Sequence, residues 1–133
     1  MLFLDDIVEV DWTRIVTRTT FGDDFLMAQA GRISPLVVIE LFAQSAAALM
    51  AYRSAQTDAP DVSGFLLGAR RIDVTVDGFS VGDEVRTEAE EKWGAGALAQ
   101  FACRCFVGDQ VVAEGAINVA AGSLPTGGES MLG

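Results

Sequence analysis

Hydrophobic and polar positions first alternate, then bunch, then alternate again along the chain, and the elements follow from those changes of period. Residues 2–10 (LFLDDIVEV) alternate well enough to predict a half-buried strand, with Asp11-Trp12 opening a turn. Residues 14–21 (RIVTRTTF) are β-branched with Arg14 and Arg18 at one parity, the pattern of a second, hairpin-linked strand. Gly22-Asp23-Asp24 interrupts it, and residues 25–30 are expected to form a short helical turn before Gly31. Ser34 is a good N-cap and Pro35 suits the first helical position, so a helix is predicted to begin there. It runs over residues 35–56 (PLVVIELFAQSAAALMAYRSAQ), apolar around nearly its whole circumference, and such a helix is expected to be wrapped by other structure.

Beyond the helix, residues 57–63 read as a loop with Pro60 as its stop. Residues 64–76 read as one long strand, or two joined at a bulge for which Gly68 is the candidate. Asp77-Gly78 and Val81-Gly82-Asp83 are turn signals. Residues 84–93 place Val85, Thr87, Ala89 and Trp93 inward against a wet face of Glu84, Arg86, Glu88, Glu90 and Lys92, with Glu91 the exception on the inner side. After Gly94-Ala95-Gly96, residues 97–107 turn Phe101, Cys103, Cys105 and Val107 inward. Gly108-Asp109 then makes a hairpin, and residues 110–120 turn Val111, Ala113, Ile117 and Val119 inward. The last residues, 122–133, are rich in Gly, Ser and Pro and are expected to fray. The order is two strands, one long helix and four strands joined by tight turns, which implies an antiparallel sheet curled around a single helix. The open edges of such a sheet invite pairing with a second subunit.

Composition narrows the functional classes. A chain of 133 residues, half of them hydrophobic, is one domain able to bury a real core. Nineteen acidic against nine basic residues give a net charge of −10, which disfavours nucleic acid and anionic membranes as partners. The apolar helix is broken by Glu40, Gln44 and Arg53 too early for a bilayer span, and with no signal-like start a cytoplasmic location is the default expectation. Cys103 and Cys105, two apart in a strand, share a face and are too far apart to bridge comfortably; they read as small buried hydrophobes. With no histidine anywhere, a metal site is not expected. For the same reason Ser45 has no histidine to activate it, which excludes a serine hydrolase.

The oddity in the helix is Glu40 followed four residues later by Gln44, two polar groups on one face of an apolar rod. An embedded carboxylate must be paired, hydrogen-bonded or protonated. One reading is structural, with Glu40 paired to Arg32, Arg53, Arg70 or Arg71. The motif around it points to chemistry. Ser34-Pro35 followed by Val37, Ile39, Glu40, Leu41, Ala43 and Gln44 resembles the helix start of the 3-hydroxyacyl-(acyl carrier protein) dehydratases. The opening MLFLDD, the stretch GFLLGARR (residues 64–71) and Val81-Gly82-Asp83 resemble the aryl-polyene-type branch of that family most, over residues 1–120.

The resemblance implies a hotdog fold, in which a six-stranded antiparallel sheet wraps one long central helix and the protein is dimeric. The hotdog domain would span residues 1–121, and residues 122–133 would form a C-terminal tail. It implies a dehydratase or hydratase acting on 3-hydroxyacyl thioesters carried on acyl carrier protein, or on a coenzyme A thioester. No cofactor is required, since the substrate brings its own phosphopantetheine. Glu40 would be the acid and Gln44 would orient it. Val37 and Val38 at the helix start would polarise the thioester carbonyl. Phe65, Leu66, Leu67 and Gly68 would line the acyl tunnel at the dimer interface. Arg70 and Arg71, the only adjacent basic pair, would meet the acidic carrier. The family's glutamate works with a histidine, and this chain has none. Either the chain is N-terminally short of a histidine-bearing segment, or it is a non-catalytic acyl-binding relative that completes a heterodimer. A hotdog acyl thioesterase using Glu40 as general base is the other enzymatic alternative.

Overall fold

The computed structural model describes residues 2–25, 28–57 and 63–122, the side chains of 63–65 and 121–122 apart. The hairpin predicted at the start is present as β1 (Asp6–Val10) and β2 (Arg14–Thr20). Contrary to expectation, β1 is exposed along most of its length, because it is the edge of the sheet; Val10 at its end, with Phe3 and Leu4 before it, reaches the core. The short helical turn expected over residues 25–30 is replaced by β3 (Ala28–Gln29), which hairpins onto β4 (Arg32–Ile33) through Ala30 and Gly31 at φ 54° and 77°. Positive φ at two successive residues is the geometry of a tight hairpin turn, not a helix. β4 pairs on its other side with β6 (Phe79–Ser80), making a small second sheet that delivers the chain to the helix. Gly78 makes that approach possible: at φ 152° it lies where a Cβ would sit 2.5 Å from the Ile33 carbonyl oxygen.

The helix, α1, runs Val37–Gln56. It begins two residues later than expected and is capped by Leu36, with no side-chain cap, because the Ser34 hydroxyl accepts the Leu36 N–H (3.2 Å) and holds residues 34–36 in a turn. It is not wrapped all round. Val37, Val38, Leu41, Phe42, Ser45, Ala46, Leu49 and Met50 are buried at i, i+3 and i+4 spacings, while Glu40, Ala51 and Ala55 on the other side face outward. The outward stripe is built of alanine rather than charged residues, which is why the sequence reads as apolar on every side.

That buried face lies on a six-stranded antiparallel sheet in the order β1-β2-β7-β8-β9-β5, with β5 (Ser63–Val74), β7 (Glu84–Ala95), β8 (Leu98–Val107) and β9 (Gln110–Gly122). Alternation fixes the inner rows. Ile15, Thr17 and Thr19 of β2, Val85, Thr87 and Ala89 of β7, and Phe101, Cys103 and Cys105 of β8 all point at α1. Bulges on β7, β9 and β5 re-aim side chains. On β7 the register shifts between Glu91 and Trp93, so Glu91 stays inside and Trp93, expected inward, is 47% exposed. Glu91 can stay because Arg53 of α1 holds it through both oxygens (3.2 and 3.1 Å). On β9 a bulge against Cys105 and Phe106 buries Val112 with Ala113, so Val111 is only half-buried where the parity predicted it inward. On β5 the bulge at Leu67 and Gly68 is as expected, and a second lies at Arg71 and Ile72.

On the face of the sheet away from the helix, Glu88 accepts from Arg14 Nε (2.6 Å) and Arg104 Nη2 (2.6 Å). Burial pushes the Glu88 carboxyl up, but hydrogen bonds and charge from Arg104 and Arg14 outweigh it and hold the group below its ordinary value of 4.5. A lowered folded-state value means stability present above the unfolded value and lost as pH falls through the folded one. Glu88→Gln should therefore lower the urea midpoint near neutral pH, and the two unfolding curves should converge in strong acid.

Candidate functional site

The site assembles where the N-terminal segment crosses the start of α1. Glu40 is exposed, not embedded as expected, because it lies on the stripe that no described strand covers. Its Oε1 accepts from Gln44 Nε2 at 3.0 Å, so the pair expected from the i, i+4 spacing is formed. Gln44 Oε1 in turn accepts the backbone N–H of Phe3 at 2.6 Å. None of the proposed arginine partners reaches Glu40: Arg53 binds Glu91 and the Trp12 carbonyl, and Arg32 binds the Ser80 hydroxyl. The Phe3 ring stacks edge-on against Phe25 (4.6 Å between centroids), Phe25 against Phe21 (4.8 Å), and Phe21 against Phe79 of β6 (5.5 Å). Among the described residues the two most exposed large hydrophobic side chains are Leu2 (73%), next to Phe3, and Leu36 (68%), the cap residue before α1.

Val37 and Val38 are placed differently from expectation. Their side chains are fully buried, and their N–H groups are already used, donating to the Ser34 and Pro35 carbonyls at 3.2 Å each. The first helical turn closes on itself in i to i−3 bonds, so these donors are not free to polarise a thioester. Leu66 and Leu67 are exposed on β5, the other edge of the sheet, and Gly68 follows the bulge. The Phe65 side chain lies outside the described residues. Arg70 and Arg71 are exposed, and among the described residues neither forms an ion pair. Arg71 takes a left-handed backbone (φ 51°) at the second β5 bulge, opposite Gly115, where a Cβ would meet the Arg71 carbonyl at 3.1 Å. Both arginines line a groove of about 580 Å³ on the sheet face away from α1, with Lys92 and Arg104. Arg70 also borders a neighbouring groove of about 380 Å³ with Leu67, Trp93 and Leu98. Sequence reasoning passed over Phe3 as a member of the site, since its partner Gln44 lies 41 residues away.

Among the described residues no cluster of three or more potential ligands could hold a metal ion, and no helix is long and apolar enough to cross a membrane.

The family profile of the ApeP-like proteins, described as ApeP dehydratase, matches residues 1–127. The chain belongs to the ApeP dehydratase family. No curated protein sequence matches it. Among solved structures, the dehydratase heterocomplex ApeI:P from Xenorhabdus doucetiae is similar with a TM-score of 0.86, at 18% identity over 92% of this chain and 84% of that one. A hypothetical thioesterase with coenzyme A from Streptococcus pneumoniae TIGR4 gives 0.67, at 11% identity over 91% and 88%. The smu.793 protein from Streptococcus mutans UA159, bound to acetyl coenzyme A, also gives 0.67, at 13% identity over 89% and 88%. The fold is the hotdog fold.

Both cysteines face the core, as their spacing predicted. Burial pushes the Cys105 thiol up to about 12 and the Cys103 thiol up as well, with Cys105 adding to the latter effect. Neither thiol should react with iodoacetamide in the folded chain at mildly alkaline pH, and both should be alkylated in urea, as read by intact mass.

Proposed function

We propose that this ApeP-family chain dehydrates 3-hydroxyacyl thioesters as one subunit of a hotdog heterodimer, with Glu40 as its catalytic acid. The observation that carries the reading is the Glu40–Gln44 hydrogen bond on a helix stripe that the described strands leave uncovered. In the reaction a base removes the proton on Cα, the C=C bond forms, and the β C–O bond breaks. Glu40 gives its proton to the departing hydroxyl, so water leaves and the carboxylate is reprotonated for the next turnover. The chain has no histidine, and the family's base is a histidine, so the partner subunit is the source that fits. The dehydratase heterocomplex from Xenorhabdus doucetiae supports that arrangement. Covering Leu2, Leu36 and Glu40 with a second subunit would remove apolar surface from water and dry the site.

Phe65, Leu66, Leu67 and Gly68 on the β5 edge would then line the acyl passage once a partner strand lies beside them. Arg70 and Arg71, not committed to carboxylates of the described residues, suit the phosphate of phosphopantetheine on an acidic acyl carrier protein or coenzyme A. The reaction needs no cofactor of its own. The two buried free thiols suit a reducing, cytoplasmic compartment.

Hydration of a short enoyl-pantetheine, followed by loss of enoyl ultraviolet absorbance, tests the reading on the chain alone and on the chain co-produced with a histidine-bearing hotdog subunit. Activity should appear with the partner. Glu40→Gln in this chain should leave the assembly folded and lower kcat by about 100-fold or more. Release of free thiol without enoyl loss would instead make the protein a thioesterase, in keeping with its structural similarity to the streptococcal thioesterase. An unfolded Glu40→Gln protein would make Glu40 structural.

A further inference from the structure

The hydrogen bonds around Gln44 decide more than the identity of the acid. A backbone N–H can only donate, so the Gln44 atom 2.6 Å from Phe3 N must be its oxygen. The amide orientation is thereby settled, and its NH2 is directed to Glu40 Oε1 at 3.0 Å. A hydrogen bond accepted at Oε1 makes that oxygen the better carbonyl acceptor and favours the exchangeable proton on the other oxygen. Phe3 can hold this position because its ring ends the ladder Phe3–Phe25–Phe21–Phe79, whose last member is fixed in β6 and whose third is 1% exposed. Ring pairs in this geometry attract one another beyond their burial, which helps to seat the N-terminal segment.

We infer that Phe3 is the positioning residue of the site: its N–H, braced by the aromatic ladder, locks Gln44 and through it Glu40 Oε1, leaving Oε2 as the oxygen that exchanges the proton with substrate. The inference rests on Glu40 being the catalytic acid. It adds a backbone group, contributed from outside the helix, that sets which carboxyl oxygen works.

The test uses two substitutions that differ in the one feature invoked. Phe3→Pro deletes the N–H, whereas Phe3→Leu keeps the N–H and most of the apolar bulk. In the assembled dehydratase, Phe3→Pro and Gln44→Leu should each lower kcat by about 10- to 100-fold with KM little changed, while Phe3→Leu, which keeps the N–H but loses the ring that braces it, should lower kcat clearly less than Phe3→Pro. The double variant Phe3→Pro/Gln44→Leu should be no worse than either single one, because both break one chain of bonds. Losses that multiply, or a Phe3→Pro protein with full kcat, would overturn the inference. A second readout needs neither activity nor the proline variant. The Gln44 side-chain amide NMR resonances should shift on Phe3→Ala and again on Glu40→Gln. Amide resonances indifferent to both would overturn the relay even in an active enzyme. An assembly inactive on the enoyl thioester with those shifts present would overturn the function proposed for Glu40 and leave the relay standing.

Discussion

The architecture depends on burying one face of a single helix in the hollow of a curled sheet. Val37, Val38, Leu41, Phe42, Leu49 and Met50 lose nearly all their exposure there, each contributing about 1.5–3 kcal/mol of transfer free energy. The sheet has to bend to cover them, and its bulges on β5, β7 and β9 lie where two residues oppose one. Register against the helix is reinforced by few polar contacts. Thr17 shares a 2.8 Å hydrogen bond with Ser45, and Arg53 clasps Glu91 and the Trp12 carbonyl. Sliding α1 along the sheet would break these bonds in surroundings where unpaired polar groups are costly.

One-sided burial also produces the site. Because the sheet takes one face of α1, the opposite stripe carries whatever the chain can leave uncovered, and here that is alanine with one carboxyl. The N-terminal segment passes over this stripe just before entering β1, which brings Phe3 to Gln44. The same strand that gives the sheet its exposed edge thus begins by anchoring the acid. The outer face of the sheet is organised separately, by charge: Glu88 is shared between Arg14 and Arg104, Lys92 is bound to Glu90, and Arg70 and Arg71 are left uncommitted among the described residues. In a chain of net charge −10, two adjacent arginines with neither a carboxylate nor a side-chain hydrogen-bond partner among the described residues differ from the other basic residues, of which Arg32 holds the Ser80 hydroxyl and Arg86 the Gly108 carbonyl.

Much of this was legible in the residues. Strict alternation of Val85, Thr87 and Ala89 against charged neighbours located a half-buried strand, Gly108-Asp109 located a hairpin, and the spacing of Cys103 and Cys105 placed both thiols on the core side. Glu40 and Gln44 were recognisable as one hydrogen-bonded unit from their separation alone, since helical geometry brings i and i+4 together whatever surrounds them. These are local relations, set by backbone periodicity and turn chemistry within a few residues.

What only the tertiary structure decided are relations across long separations. Composition could not show that the apolar helix has an exposed side, because alanine reads as hydrophobic whether or not anything covers it. Nor could it show that Trp93 turns outward, because the bulge beside it depends on Arg53 reaching Glu91 from the helix. The helix start looked like a pair of free donors until residues 34–36 closed a turn that consumed them. Phe3, finally, is an ordinary apolar residue near a chain end, and its bond to Gln44 exists only because the fold closes 41 intervening residues between them. Periodicity is a property of neighbours along the chain; a site made by elements meeting in space has no period for the sequence to display.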